Sequence, residues 1–491
     1  MIKSSGGCVK VESSKTTGKP SAAPHKINVF TLVMITAAFV ISVRNLPMMA
    51  ETGLNMIFYA LIAALAFLVP TALVSAELAT GWPEQGGVYV WVKEAFGERL
   101  GFTAIWLQWF QMVIGMVAVL VFIAGSLAFV FNPALAANKL FILAVVLVVY
   151  WGTTYLNLRG MKTSGRISTV CFLCGVLVPG LLIIILGIVY LLSGDPVQLD
   201  LTLNTANLIP DFSSISNIVL LAGFIFIFAG IEVSAGHANE VNNPQRNYPV
   251  AIFIAGLILF LINVMGGMAV AIVVPQQDIS LDAGIMVAFT DFFAAFGIAW
   301  LVPIIALLVA FGAIGQISTW ILGPVKGLQV SADTGDLPPF LQKVNENGIP
   351  KNLLILQASL VSVFGLMFAL VPGVNNAYWM LLALTILVYL VMYLLMFLAA
   401  IRLRYSRPEV HRAYRIAGGK AGMWFVSGVG ILTVLFTMIV GFFPPKQIPA
   451  GNGALYMAVM GVGLIIIVLI PLIIYQFKKP GWIPDTGKKE V

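Results

Sequence analysis

Long apolar runs, separated by proline, glycine or charged residues, recur along the whole chain and decide what it can fold into. A helix needs ~20 apolar residues to cross a ~30 Å hydrocarbon core. Runs of that order lie at about 29–54, 57–79, 101–131, 140–158, 167–192, 217–238, 249–274, 297–323, 352–372, 377–401, 424–443 and 454–476, which makes twelve candidate spans. Hydrophobic residues form 60% of the 491 and charged residues only 10%, against ~25% charged in a soluble domain. The expected fold is therefore an all-α polytopic membrane protein. Residues 86–96, ahead of the third run, read as a short interfacial helix and not as a crossing.

Residues 1–27 hold almost no large apolar side chain, so they cannot offset their ordering entropy and read as a disordered tail. They lack the order of a cleavable signal peptide, so the first run should direct insertion. The expected division is the tail 1–27, a twelve-helix domain 28–476 and a short second tail 477–491. Within the domain, two repeats at about 28–193 and 217–404 are followed by helices eleven and twelve at 424–476.

The distribution of basic residues tests this map independently of hydropathy, because short cytoplasmic loops collect Lys and Arg. Of the 27 basic residues, 24 fall in alternate segments that include both tails, while Lys139 and Lys446 fall on the other side and Arg44 within a span. Both termini are thus expected in the cytoplasm. The net charge of +7 is a topology signal spread over loops and gives no case for nucleic acid. Three cysteines exclude a disulfide framework, and zinc-finger, P-loop and nucleophile-elbow signatures are missing. Neither a cofactor, nor ATP binding, nor an enzymatic domain is expected. Gly418-Gly419-Lys420 lacks the Ser or Thr of a phosphate loop, and Cys171 and Cys174 read as small-residue packing. Asp195, Asp200, Asp211, Asp278, Asp282 and Asp291 lie in two outer loops without Lys or Arg and read as solvated surface in preference to a cation vestibule.

Four ionisable residues fall in or near the spans: Arg44, Glu51, Glu77 and Glu232. A charge in the hydrocarbon costs several kcal/mol unless it faces protein or water, which makes each a candidate for function. Glu77 and Glu51 lie near span ends and read as mainly structural, Glu77 reaching headgroups or an arginine. Arg44 and Glu232 lie deep in spans one and six, and both sit at helix breakers. Pro47 follows Val43-Arg44-Asn45-Leu46 and is expected to disfavour helix at Leu46. Gly230 and Gly236 flank Glu232 within Ala229-Gly230-Ile231-Glu232-Val233-Ser234-Ala235-Gly236 and lower the cost of unwinding.

Spans one and six are five apart, so the second copy of a five-helix unit would enter the membrane inverted. Interrupted segments at matching places in inverted halves point to a transporter's central site. Unwound backbone there offers donors to a carboxylate and carbonyls to an ammonium group, a combination that suits a zwitterion such as an amino acid. The alternative for Arg44 and Glu232 is an ion pair that only neutralises two buried charges, and the two roles can coexist. Gln316 in span eight and Tyr389 and Tyr393 in span ten can line a cavity or bond between helices.

The run Gly230 to Glu240, with Asn243-Pro244 and Arg246-Asn247-Tyr248-Pro249, resembles the sixth-span motif of the glutamate/γ-aminobutyrate antiporter family, within the amino acid–polyamine–organocation superfamily. Ala76-Glu77-Leu78-Ala79, Glu84-Gln85-Gly86-Gly87-Val88, Trp320-Ile321-Leu322-Gly323-Pro324 and Asn347-Gly348-Ile349-Pro350 match as well, and the resemblance spans about 28–476. It implies a 5+5 inverted-repeat fold with discontinuous helices one and six, exchanging amino acids by alternating access across the cell membrane, taken as a bacterial cytoplasmic membrane. The implied substrate site uses Val43, Arg44, Asn45, Leu46, Ala229, Gly230, Ile231, Glu232, Gln316, Tyr389 and Tyr393, with Glu232 and Arg44 in coupling or gating.

Two departures bear on the substrate. The acid-resistance exchangers carry aromatic and acidic residues in the first break, where this chain has Arg44-Asn45-Leu46, and an acid in span eight where it has Gln316. Those exchangers also close their inward path with a tail at neutral pH. Phe477–Val491 is short and without histidine, so no tail-based pH gate is expected.

The partners expected are the bilayer and an amino acid or its decarboxylation product, with protons as one candidate coupling ion, and the protein is a monomer or a homodimer. Exchange, uniport and proton symport all fit these residues. An amino acid sensor is the rival from another class, while a channel is disfavoured because no span carries a periodic polar set.

Overall fold

The computed structural model describes residues 27–84, 86–159, 170–234, 241–446 and 452–483. All of the expected tail 1–27 except Ile27, together with 235–240, which include Gly236 and His237, and 484–491, lie outside the described residues. Among these no strand forms, and the only β contacts are the isolated bridges Ile27–Val241 and Val344–Pro350. The chain is a multi-pass membrane protein. Among the described residues, ten helices are long and apolar enough to cross a membrane, and an eleventh span results if the bent pair Val29–Ala38 and Val43–Ala50 is counted as one.

The first run is broken. Asn28 caps α1 (Val29–Val40) by accepting from the Thr31 amide at 2.8 Å, and the helix ends where Ile41 and Ser42 turn extended. A 3-10 turn over Val43–Asn45 leads into α2 (Leu46–Ala50), and the two halves bend by 47°. The break thus falls before Arg44. Leu46 is helical, contrary to the expectation drawn from Pro47, because Pro47 occupies the first turn of α2, where its missing N–H costs nothing.

Next come α3 (Asn55–Gly81), with a π turn at Ala64–Leu68, and α4 (Val88–Phe96). The short helix α4 does not cross, as expected. It buries Val88, Tyr89, Val90, Trp91 and Val92 against its neighbours and so is covered by protein instead of lying in open lipid. Then follow α5 (Glu98–Phe131), α6 (Lys139–Leu158) and α7 (Val170–Ser193). The expected sixth span appears as α8 (Leu221–Ile227), a turn, and a 3-10 segment over 231–234, separated by Gly230 at φ +100°.

The remaining helices are α9 (Pro244–Val273), α10 (Gly284–Ala295), α11 (Val302–Asp333), α12 (Lys351–Leu370), α13 (Val374–Ser406), α14 (Gly419–Gly441) and α15 (Gly453–Gln476). Pro324 does not end α11, which runs past the expected limit to Asp333. α5 is the axle, packed along both α11 and α13. Burial covers 78% of the most apolar stretch of α13 but 22% of that of α15, so α13 is an inner helix and α15 a peripheral, lipid-facing one.

Two buried polar clusters pin distant helices. Glu77 Oε1 binds Arg404 Nη1 at 2.6 Å and Arg412 Nε at 3.4 Å, and its Oε2 accepts from the Ile416 amide at 2.8 Å. Glu77 therefore meets arginines and not headgroups. Trp109 donates to Gln357 at 2.8 Å, and Gln357 donates to the Tyr150 hydroxyl at 2.6 Å, tying α5, α12 and α6 together. Such pairings are what make polar atoms tolerable away from water. Cys171 Cβ lies where a Cβ on Gly315 would fall, so the cysteine does pack against a small residue.

Candidate functional site

The two helix breaks converge on a cavity of about 100 Å³ lined by Val40, Ser42, Arg44 and Asn45 from the first break, Phe226, Ile227 and Ala229 from the second, and residues of α5, α11 and α13. At ~10–15 Å³ per water this is room for roughly seven to ten waters, or for the atoms of a small amino acid. Ser42 Oγ accepts from the Arg44 amide at 3.4 Å, which holds the 3-10 turn that aims the guanidinium inward. Nε and Nη1 of Arg44 are buried and have no hydrogen-bond partner. Two buried guanidinium donors without acceptors are unsatisfied, and an anion would complete them.

On the far side of Tyr389, Glu232 is 2% exposed and sits in a cage of neutral donors. Tyr389 donates to its Oε1 at 2.5 Å, Gln108 Nε2 reaches the same oxygen at 3.3 Å, and Tyr393 donates to Oε2 at 2.6 Å. The Tyr393 hydroxyl in turn accepts from the Gly230 amide at 2.7 Å. The φ of Gly230 is one that a side chain rarely adopts. One hydroxyl thus fixes both the carboxyl and the backbone of the second break. No ion pair joins Arg44 to Glu232 among the described residues, and the two groups occupy separate environments.

The first break is secured from α11. Gln316 Nε2 donates to the Ile41 carbonyl at 2.7 Å and to that of Ala38 at 3.4 Å, satisfying carbonyls that the end of α1 leaves open.

Of the residues expected at the site, Arg44, Asn45, Ala229, Gln316 and Tyr389 line the cavity. Glu232, Gly230 and Tyr393 form the layer behind it. Val43 packs toward Gly180 and Leu46 against Gly266, and buried Ile231 is likewise off the cavity wall. The sequence reading missed the wall that α5 supplies, Gln111, Met112, Gly115, Met116 and Val119, and also Gln108, Phe226 and Trp320. Gln108 and Gln111 are three apart in an otherwise apolar run, a spacing that places both on one helix face and could have flagged them.

The amino acid permease family profile matches residues 27–470. An uncharacterised transporter of Legionella pneumophila is 43% identical over 91% of this chain and 95% of its own length. A glutamate/gamma-aminobutyrate antiporter of Lactococcus lactis is 34% identical over 92% of this chain and 90% of its own. A protein of the same species whose name reads probable agmatine/putrescine antiporter is 23% identical over 89% and 94%.

Proposed function

Because the chain belongs to the amino acid permease family, whose relatives here are transporters, we propose that it is an amino acid antiporter of a bacterial cell membrane, working by alternating access around the cavity between the two breaks. The observation that carries this reading is the Arg44 guanidinium, whose buried Nε and Nη1 have no partner, in a cavity of amino acid size beside a helix end and an unwound segment. Arg44 supplies the donors for a substrate carboxylate, Asn45 and Gln111 are polar neighbours on the wall, and Tyr389 separates the substrate from Glu232. Glu232 and Tyr393 position the second break and move with it, which makes Glu232 the group that links substrate or a proton to the change of state. The fold in this reading has two inverted five-helix repeats with α14 and α15 added. The basic bias of alternate loops supports termini in the cytoplasm.

The test is counterflow into proteoliposomes loaded in turn with each amino acid and common decarboxylation products, with Arg44→Ala in parallel. Saturable uptake that requires an internal counter-substrate and falls at least tenfold in the variant is the expected result. Robust uptake into empty vesicles overturns exchange in favour of symport, and ligand-dependent thermal stabilisation without any flux overturns transport in favour of a sensor.

A further inference from the structure

Asp282 was expected on solvated loop surface, yet it is 2% exposed. It lies in the segment between α9 and α10, which the basic bias of the loops assigns to the outer face. This segment is seated on three helices. Gln276 Nε2 donates to the Glu51 carbonyl at 3.0 Å, and a Cβ on Gly284 would lie 2.9 Å from Pro47, so α2 is covered. The Leu281 amide donates to Asn375 Oδ1 at 2.9 Å, which ties it to α13. A Cβ on Gly125 of α5 would come within 2.9 Å of the Asp282 carbonyl oxygen and 3.2 Å of Oδ2.

The carboxyl itself is half satisfied. Oδ1 accepts a short hydrogen bond from Ser280, whereas Oδ2 is buried without a partner. The groups facing it offer no cation: α5 presents glycine, α13 presents the Tyr378 phenol, and the other acid of the loop, Asp278, is exposed in its 3-10 turn. Tyr378 interacts with both Asp282 and Arg44 of the first break. An orphan oxygen in a site without a cation is the setting in which a carboxyl keeps its proton.

We propose that Asp282 is a proton-binding latch of the outer entrance: it is protonated on Oδ2 while the 276–284 segment is seated and gives that proton to external water when the segment lifts. The inference rests on the transporter reading for the word entrance. The seated form is the one that excludes the external solution from the cavity, and Tyr378 joins the latch to the substrate-facing Arg44.

Burial pushes the Asp282 carboxyl up to about 6, against the opposing pull of the Ser280 hydroxyl and of the Asp282 and Ala283 amides. With the segment lifted, the carboxyl faces water and returns to the ordinary aspartate range. The seated form is therefore favoured fully below that range and loses the advantage as pH rises through about 6, with a limit of roughly a hundredfold in the seated-to-lifted ratio.

The experiment uses the full chain in lipid nanodiscs and reads hydrogen exchange of the 276–290 peptide at pH 5 and 7.5, corrected for intrinsic rates. Protection should fall at least tenfold between the two in the wild type, stay high at both in Asp282→Asn, and fall at a higher pH in Ser280→Ala, which removes a group that favours the ionised form. A fall in Asp282→Asn equal to that of the wild type, or no upward shift in Ser280→Ala, overturns the latch. In proteoliposomes with a fixed internal pH, Asp282→Asn should likewise flatten the external pH profile of exchange. Absence of exchange in the wild type refutes the transporter reading instead, and the hydrogen-exchange result still decides the latch.

Discussion

Tyr393→Phe deletes one oxygen and strands two buried groups. The hydroxyl gives Glu232 Oε2 its donor at 2.6 Å and gives the Gly230 amide its acceptor at 2.7 Å. Each buried group left unsatisfied costs ~1–3 kcal/mol. Taking the low half of that range for each, because the cavity lies one layer away and water can replace part of the loss, gives about 2–4 kcal/mol against the conformation described here. At ~1.4 kcal/mol per decade this is roughly 30–700-fold. Tyr389→Phe removes a single donor, and Glu232 Oε1 keeps Gln108 at 3.3 Å. Its cost should be ~1 kcal/mol, or about fivefold. The assay is the apparent KM and maximal rate of amino acid exchange in proteoliposomes for both single variants and for Tyr393→Phe combined with Glu232→Gln. In the double variant the loss should be well below the product of the singles, because both remove the same bond. A Tyr393→Phe protein within threefold of wild type, or one less impaired than Tyr389→Phe, would refute the reasoning that a single hydroxyl holds the second break.

Glu77→Gln leaves Arg404 and Arg412 buried without their counter-charge, so it should lower stability by about 3–5 kcal/mol. Glu77→Gln with Arg404→Met should recover part of the loss, read as the temperature at which detergent-solubilised protein stops being monodisperse. Deleting 481–491 removes the contact of Gln342 with the Trp482 carbonyl at 2.7 Å and the packing of Ile483 on Gly335. It should leave the pH profile of transport unchanged, and a shift toward neutral activity would contradict this.

Most of the helices were legible because a lipid-spanning segment advertises its own length. What escaped depends on partners far away in sequence. The eighth apolar run reads as ending at 323, yet α11 continues to Asp333 with Pro324 inside it, since packed neighbours can accommodate a proline that an isolated helix would not. Span six, by contrast, was legible as an interrupted segment because Gly230 stands beside a buried charge, and the break falls at that glycine, at φ +100°. At the site, Arg44 and Glu232 stand out as charges among apolar residues, while Met112, Gly115, Met116 and Val119 have the same composition as lipid-facing residues. Inside a bundle both faces of a helix are apolar, so the amphipathic stripe that would reveal a wall is lost. The burial of Asp282 has the same origin, since a loop is covered only once α2, α5 and α13 have met it.

The separation of the two charges has a consequence for selectivity. Gln316 already satisfies the carbonyls at the end of α1, and Glu232 already has its donors, so neither needs an incoming ammonium group. Nε and Nη1 of Arg44 remain unpaired. A second cation held 4–6 Å from that guanidinium pays about 3–4 kcal/mol at an effective dielectric of 20, or over a hundredfold in affinity. A carboxylate gains from the same geometry. Diamines and agmatine should therefore compete poorly for exchange, and amino acids with a second carboxylate should compete well, in contrast to what is named for the relative at 23% identity. Arg44→Gln should narrow the gap at least tenfold by weakening the acids and admitting the amines. Competition assays that rank putrescine with the amino acids in the wild type would show that Glu232, and not Arg44, sets the charge of the cavity.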